Sequence, residues 1–326
     1  MANSTLSHHE ISKLDDQQLN LLKNTKFTNH GGGVVQFHNV IDVPQERVLP
    51  YIDEHAYVPS CGFEIKERED GTKYIMDYEG NEKPYEILLG LPLRLGGYGM
   101  DGPVEPYTPD DIRNFFIECE KGLYRCLMRY IDLFPMILNT IQWKNRGHVL
   151  KYLAGAALGI HNDNDTNYRT KDGQRYFTGR DVAMYQVVNA IVYFNDDFEG
   201  GEFYFPYLNL TLKPAPGDIV FFPANYVGTH AVTRVEKGER YTYLAQYGHG
   251  ESHEGEMVEP LESKDWLPPV YFPFIHQDFD KLVNTGNSVY DREKDRAHGF
   301  HGSTVTEQER PVEGPPTGTL MPYDEY

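Results

Sequence analysis

The chain has 326 residues, 40% of them hydrophobic and 13% aromatic, and a formal charge of −19. That length and apolar content suit a folded protein with a full core and exclude intrinsic disorder. The charge repels phosphate backbones and anionic bilayers, which argues against nucleic acid or a membrane surface as partner. Three cysteines, Cys61, Cys119 and Cys126, form neither a CxxC pair nor an even framework, so they read as small buried thiols in a reducing compartment. The opening MANSTLSHHEISKLDD has no apolar core of signal-peptide length, and no run of about 18 apolar residues follows. The expected protein is soluble and cytoplasmic.

Residues 1–33 are polar, end in Gly31-Gly32-Gly33 and read as a flexible leader. Val34 to Ile41 alternates like a strand, and Pro44 to Glu54 reads as a short helix with proline near its first turn. Residues 56–107, rich in Tyr, Gly and Pro, suggest loops and short strands. The clearest helix starts at Thr108-Pro109-Asp110-Asp111, with Thr108 as the expected N-cap. Its apolar stripe runs Ile112, Phe115, Phe116, Cys119, Leu123, Leu127, Tyr130, Phe134, until Pro135 ends it. Short β segments follow, near Val149–Tyr152, Gln186–Phe194, Gly201–Phe205, Leu210–Pro214, Asp218–Pro223, His230–Val235 and Arg240–Tyr247, separated by Gly, Pro and Asn/Asp turns. From about Trp266 the period is lost, and residues 302–326 are a polar, Pro/Gly-rich tail. The fold class is therefore mainly β with flanking helices, a sandwich or barrel over about 149–247 with helical support at about 108–135.

One stretch in that β region carries chemistry. Val149 to Asp163 ends in His161-Asn162-Asp163, and in an extended segment residues i and i+2 project to one face, placing an imidazole beside a carboxylate. Such a pair is two thirds of a 2-His-1-carboxylate facial triad, the donor set that holds Fe(II) and leaves positions open. A second copy, His276-Gln277-Asp278, is the chance one. Only His161-x-Asp163 is followed by a distant histidine, His230, with an arginine, Arg240, ten residues beyond it.

Four pieces in order over residues 149–247 make the chain resemble the prolyl 4-hydroxylase-like branch of the iron(II)/2-oxoglutarate dioxygenases. They are Tyr152 and Gly155 ahead of His161-Asn162-Asp163; the strand Ala190 to Asn195; Gly200-Gly201-Glu202-Phe203 followed by Pro216-Gly217-Asp218 to Pro223; and His230-Ala231-Val232 through Gly238 to Arg240. The resemblance implies a double-stranded β-helix (jelly-roll, cupin-like) core, with Fe(II) held by His161, Asp163 and His230. It implies that Arg240 takes the distal carboxylate of 2-oxoglutarate, with Tyr152, Tyr193 and either Thr242 or Thr233 presenting hydroxyls to that cosubstrate. Oxygen is the other cosubstrate, succinate and carbon dioxide are the co-products, and ascorbate is a candidate reductant. The expected reaction is hydroxylation of an unactivated C–H bond, since Asp163 fills the place where halogenating relatives lack a carboxylate. The expected substrate is a prolyl or other peptidyl group, or a free amino acid.

On this reading residues 34–265 form the dioxygenase domain and 266–326 a C-terminal extension. The polar insert 164–184, with Tyr168, Arg169, Arg175, Tyr176 and Arg180, reads as a lid, and the Tyr-rich segment 74–107 as the opposite wall. The material flanking the core suggests contacts with a substrate, a second copy of the chain or a larger assembly. The alternative reading is a structural or binding component built on the same fold.

Overall fold

The computed structural model describes residues 11–55, 58–59, 64–76, 80–84, 93–95, 98–99, 102–103, 109–141, 143–163, 185–249, 270–272 and 274–289. The insert 164–184, Cys61, Thr108, most of segment 85–107 and the tail 302–326 lie outside these residues, as do the expectations attached to them.

Two sheets build the core; the described residues also form a three-stranded sheet (Glu64–Glu67, Lys73–Met76, Glu82–Pro84) and a two-stranded one (Tyr98–Gly99, Gly102–Pro103). The order along the chain is α1 (Asp16–Asn24), β1 (Lys26–Gly31), β2 (Val34–His38), α2 (Gln45–His55), β3 (Val58–Pro59), β4 (Leu93–Leu95), α3 (Asp110–Leu133), β5 (Trp143–Tyr152), β6 (Leu158–His161) and β7 (Tyr185–Tyr193). Then come β8 (Glu199–Gly200), β9 (Phe203–Phe205), β10 (Leu210–Leu212), β11 (Ile219–Pro223), β12 (His230–Val232), β13 (Val235–Lys237), β14 (Arg240–His249), β15 (Val270–Tyr271) and α4 (Ile275–Asn284). The large sheet has the order β1-β2-β11-β7-β14-β5-β4-β3, with β15 pairing β5. The small sheet is β6-β12-β9-β10, and β8 pairs β13 beside it. This is the expected jelly roll, mostly antiparallel sheet with helices packed on one side.

Alternation along the central strands sorts side chains between two cores. In β7, Val188, Ala190 and Val192 face the helices, whereas Ile191 and Tyr193 face the interior between the sheets. In β11, Ile219 and Phe221 face the helices and Val220 and Phe222 the interior. The outer face is covered by α3, whose Phe115, Phe116 and Tyr130 meet Phe194, Tyr243 and Phe221 at ring separations of 5.1, 5.5 and 5.3 Å. At roughly 2 kcal/mol for each large apolar side chain fully buried, this contact is a major part of what holds the sheet in place.

The helix differs from expectation in two ways. It begins at Asp110, and the N-cap position belongs to Pro109, which has no side-chain acceptor to offer. Burial also extends beyond the apolar stripe: Arg125, Arg129 and Asp132 are buried because both termini of the described chain pack over the far side, and Glu120 is buried against the large sheet. There Lys144 Nζ donates to Glu120 at 2.9 Å and the Tyr243 hydroxyl donates to the same carboxylate. Arg129 donates to Asp132 at 2.6 Å, and Asp132 also accepts from the Val289 backbone N–H at 2.7 Å.

The expected leader is in part folded structure. Its described residues form α1 and β1, with Leu14, Leu19 and Leu22 buried, and β1 pairs with β2 at the edge of the large sheet. Asp218 fastens that hairpin, accepting from Gln36 Nε2 at 2.7 Å and from the Asn39 N–H at 2.8 Å. Gly217 precedes it at φ +82°, where a Cβ would lie 2.1 Å from the Ile41 carbonyl oxygen, so the Pro-Gly-Asp turn needs glycine for both conformation and space. The other end is clasped to α1: Asp278 accepts from the Leu14 N–H at 3.1 Å and from the Tyr124 hydroxyl at 2.7 Å, while Lys281 donates to the Leu14 carbonyl at 3.0 Å. No helix among the described residues is long and apolar enough to cross a membrane.

Candidate metal centre

Strand pairing assembles the centre. β6 and β12 run antiparallel with His161 directly opposite His230, so residues distant in sequence become cross-strand neighbours, their rings 4.3 Å apart. Asp163 sits in the turn just past β6 and turns back, with Oδ1 3.5 Å from His161 Nε2 and Oδ2 3.8 Å from His230 Nε2. One ligand atom from each of the three lies within 4.8 Å of the others.

The imidazoles are oriented by the backbone. His161 Nδ1 donates to the Gly159 carbonyl at 2.7 Å and His230 Nδ1 to the Gly228 carbonyl at 2.9 Å, the same two-residue offset in both cases. A carbonyl only accepts, so each Nδ1 carries a proton and each Nε2 is turned to the centre. Gly228 makes this possible at β12, since a Cβ there would lie 1.8 Å from the Pro223 carbonyl oxygen.

Electrostatics favours a cation at this point. Burial pushes His230 down to about 4, outweighing the pull of the Asp163 charge, so at neutral pH it is an unprotonated donor. Its ring is boxed by Phe203, Phe205 and Phe222, at 4.9, 6.0 and 4.8 Å. Burial also opposes charge on Asp163, but the His161 hydrogen bond, the two imidazoles and Asn189 together hold it below the usual carboxylate range. For His161, whose side chain is 30% exposed, burial pulls down while Asp163 and the Gly159 carbonyl outweigh it and leave the ring above its ordinary value. Two imidazole nitrogens and one carboxylate suit Fe(II), which these three residues would hold.

Deeper in the same interior lies Arg240, 1% exposed. The register sets its surroundings, with Tyr152 opposite Arg240 on β5 and Tyr193 opposite Thr242 on β7. Its guanidinium lies 4.9 and 5.0 Å from the ring centres of Tyr152 and Tyr193, and donates to the Tyr193 hydroxyl at 3.1 Å and to Thr242 Oγ1 at 3.3 Å. Its Nε is buried and unpaired, and among the described residues no carboxylate pairs with it. Tyr152 and Tyr193, which face Arg240, belong to the same interior cluster as Phe203, Phe205 and Phe222, which surround His230, so metal centre and cation lie in one interior between the two sheets. A buried guanidinium with an open donor edge fits the distal carboxylate of a dicarboxylate.

Of the expected residues, His161, Asp163, His230, Arg240, Tyr152, Tyr193 and Thr242 all face this interior. Thr233 does not: its hydroxyl donates to the Glu202 carboxylate and accepts from the Glu202 N–H at 2.9 Å, which fixes the bend between β12 and β13. This bend divides the strand expected over His230–Val235 into two, each in a different sheet. His276-Gln277-Asp278 falls on α4, where residues two apart diverge; His276 is exposed and Asp278 is buried in the clasp. One residue escaped the sequence reading. Asn189, fully buried, shares the inward face of β7 with Ile191 and Tyr193, and its Nδ2 donates to Asp163 Oδ2. An amide in the middle of the apolar run Val187 to Val192 was the available signal.

The segment that holds this site also matches a known family. Residues 147–247 match the family model described as 2OG-Fe(II) oxygenase superfamily. No curated protein matches. Among solved structures, a prolyl-4-hydroxylase from Pseudomonas putida is 13% identical, with 72% of this chain and all of that one covered at a TM-score of 0.39. A Trichoplax adhaerens prolyl hydroxylase in complex with a hypoxia inducible factor oxygen degradation domain peptide fragment is 16% identical, with 71% and 89% covered and a TM-score of 0.39. A viral collagen prolyl hydroxylase from Paramecium Bursaria Chlorella virus-1 is 17% identical, with 49% and 80% covered and a TM-score of 0.35.

Proposed function

We propose that this chain, a 2OG-Fe(II) oxygenase by its segment 147–247, hydroxylates an unactivated C–H bond of a prolyl or other peptidyl substrate, or of a free amino acid. The observation that carries the reading is the pairing, in one interior between the two sheets, of the His161, Asp163 and His230 donor set with a buried Arg240 that lacks a carboxylate partner among the described residues. The choice of peptidyl or amino-acid substrate is supported by the sequence resemblance to prolyl 4-hydroxylases.

His161 and His230 would hold the metal through Nε2, and Asp163 through a carboxylate oxygen. When bound, Fe(II) and 2-oxoglutarate supply the oxidising chemistry, with O2 consumed and succinate and carbon dioxide formed. Arg240 would take the distal carboxylate. Tyr193 and Thr242 steer its fork by accepting from its two terminal nitrogens. The Tyr152 and Tyr193 faces shield the guanidinium from water, which strengthens its hold on an anion. Burial holds Tyr152 up to about 12, so it remains a neutral hydrogen-bond donor at working pH. Phe203, Phe205, Phe222 and Ile191 line the remainder and keep bulk water from the reacting centre.

The wider assignment puts the dioxygenase domain at residues 34–265, in the cytoplasm, with ascorbate as reductant and with the flanking segments serving assembly or substrate contacts. Anaerobic titration with Fe(II) and 2-oxoglutarate, watching for the weak visible charge-transfer band, tests the reading together with succinate release. Both signals should vanish in Asp163→Ala, and a wild-type protein lacking both would refute the reading. A screen of peptides and amino acids for an O2-dependent gain of one oxygen atom identifies the substrate.

A further inference from the structure

We infer that Asn189 is a positioning residue for this centre: its amide holds one oxygen of Asp163 and so presents the carboxylate to the metal through the other. The inference rests on the oxygenase reading above and extends it to a residue outside the donor set.

Three observations carry it. Asn189 is fully buried in the middle of β7, opposite Gln246 on β14 and Phe222 on β11, so its backbone is held on both sides and its side chain has one direction to go. Its Nδ2 donates to Asp163 Oδ2. The amide turns its Nδ2 to the carboxylate, and its Oδ1 faces away. Asp163 Oδ1, the oxygen without that bond, is the one nearer His161 Nε2, at 3.5 Å. A carboxylate in a turn has a freely rotating Cβ–Cγ bond, whereas the two histidines are each fixed by a carbonyl. Asn189 supplies the corresponding restraint for the third ligand, and it comes from the rigid central sheet, not from the small sheet that carries the imidazoles.

The second polar atom of the amide argues against a purely structural role. Asn189 Oδ1 is buried with no partner among the described residues, a costly arrangement if packing were the residue's only task. Leucine, branched at the same atom though larger, carries no polar atom and would incur no such cost.

The test uses Co(II) alone as probe, added anaerobically to the chelator-treated full chain and followed by its visible absorption. Loss of a group that orients a metal ligand commonly costs 10- to 100-fold in affinity. Asn189→Leu is therefore expected to bind Co(II) about 10- to 100-fold more weakly, with a changed absorption envelope and an unchanged thermal midpoint in chelator. Asn189→Thr, which retains a short donor, should recover part of the affinity. Asn189→Ala makes the same comparison should the leucine variant not fold. Co(II) affinity and spectrum in Asn189→Leu or Asn189→Ala indistinguishable from wild type would overturn the inference while leaving the oxygenase reading intact. A wild-type chain that does not bind Co(II) at all would instead sink the reading on which it rests.

Discussion

Replacing Arg240 by methionine separates a binding cation from a structural one, because the two roles have opposite signatures. Arg240 is 1% exposed, has no carboxylate partner among the described residues and leaves Nε unpaired. Two tyrosine faces offset part of its desolvation, at about 2 kcal/mol each when water is excluded, against a penalty of several kcal/mol for an isolated buried ion. On the proposed function, the anion that would close this balance is the cosubstrate's distal carboxylate. A hydrogen bond to a charged group is worth about 1.5–3 kcal/mol, so losing a bidentate pair removes at least about 3 kcal/mol. At 1.4 kcal/mol per tenfold, this weakens 2-oxoglutarate binding by roughly 100-fold or more. Arg240→Lys, which retains the charge but only one directed bond, should lose about tenfold. In the ligand-free protein, by contrast, Arg240→Met should leave the unfolding midpoint unchanged or raise it, since an apolar side chain replaces an uncompensated charge. Calorimetric titration with 2-oxoglutarate on the Mn(II)-loaded protein and denaturant melts of the ligand-free protein check both parts. Affinity within threefold of wild type, or a destabilisation near 3 kcal/mol without ligand, would refute the reasoning.

Three further expectations follow from the same geometry. His230 has its folded value near 4 against 6.5 for the free side chain, so the unfolded chain binds more protons between these values. Stability of the metal-free protein should therefore fall as pH drops from about 6.5 to 4, by up to roughly 3 kcal/mol, with the raised His161 offsetting part. His230→Leu should flatten the dependence in denaturant melts, and an unchanged slope would contradict it. Lys144→Met leaves Glu120 buried with the Tyr243 hydroxyl but without its cation; the expected cost is about 3–5 kcal/mol in thermal or denaturant unfolding, and a neutral effect would show that the pair is dispensable. His276→Ala, on the exposed face of α4, should alter neither Co(II) affinity nor stability by more than about 0.5 kcal/mol, and weakened metal binding would mean that the second His-x-Asp is functional after all.

The legible parts of this sequence were those whose pattern and burial agree. β7 and β11 read as short, nearly continuous apolar runs because each is buried on both faces between two cores, and the long spacing from His161 to His230 and Arg240 survives any modest error in strand limits. β6 was read only as an extended segment, since Leu158-Gly159-Ile160-His161 is short and half exposed. The N-terminal segment read as a leader because DQQLNLLKN has few apolar residues; its helix is stabilised by Leu19 and Leu22 fitting against α3 and by the clasp at Asp278, contacts that no local window contains. The two His-x-Asp tripeptides are chemically alike, and the backbone separates them: two residues apart in extended chain share a face, two residues apart on α4 do not. Asn189 was missed because its significance lies in an oxygen 26 positions earlier.

The clasp between the two ends imposes an order on biosynthesis. Leu14 leaves the ribosome early, but the carboxylate that receives its amide is 264 residues behind it. At translation rates of about 5–20 residues per second, the segment must wait on the order of tens of seconds for its seat. During that interval the outer side of α3 is uncovered, with Arg129 and Asp132 hydrated, and the hairpin of β1 and β2 has yet to find the edge that β11 will provide. Nascent chains arrested before α4 should therefore expose α1 to proteases and chaperones, and completion of α4 should protect it abruptly.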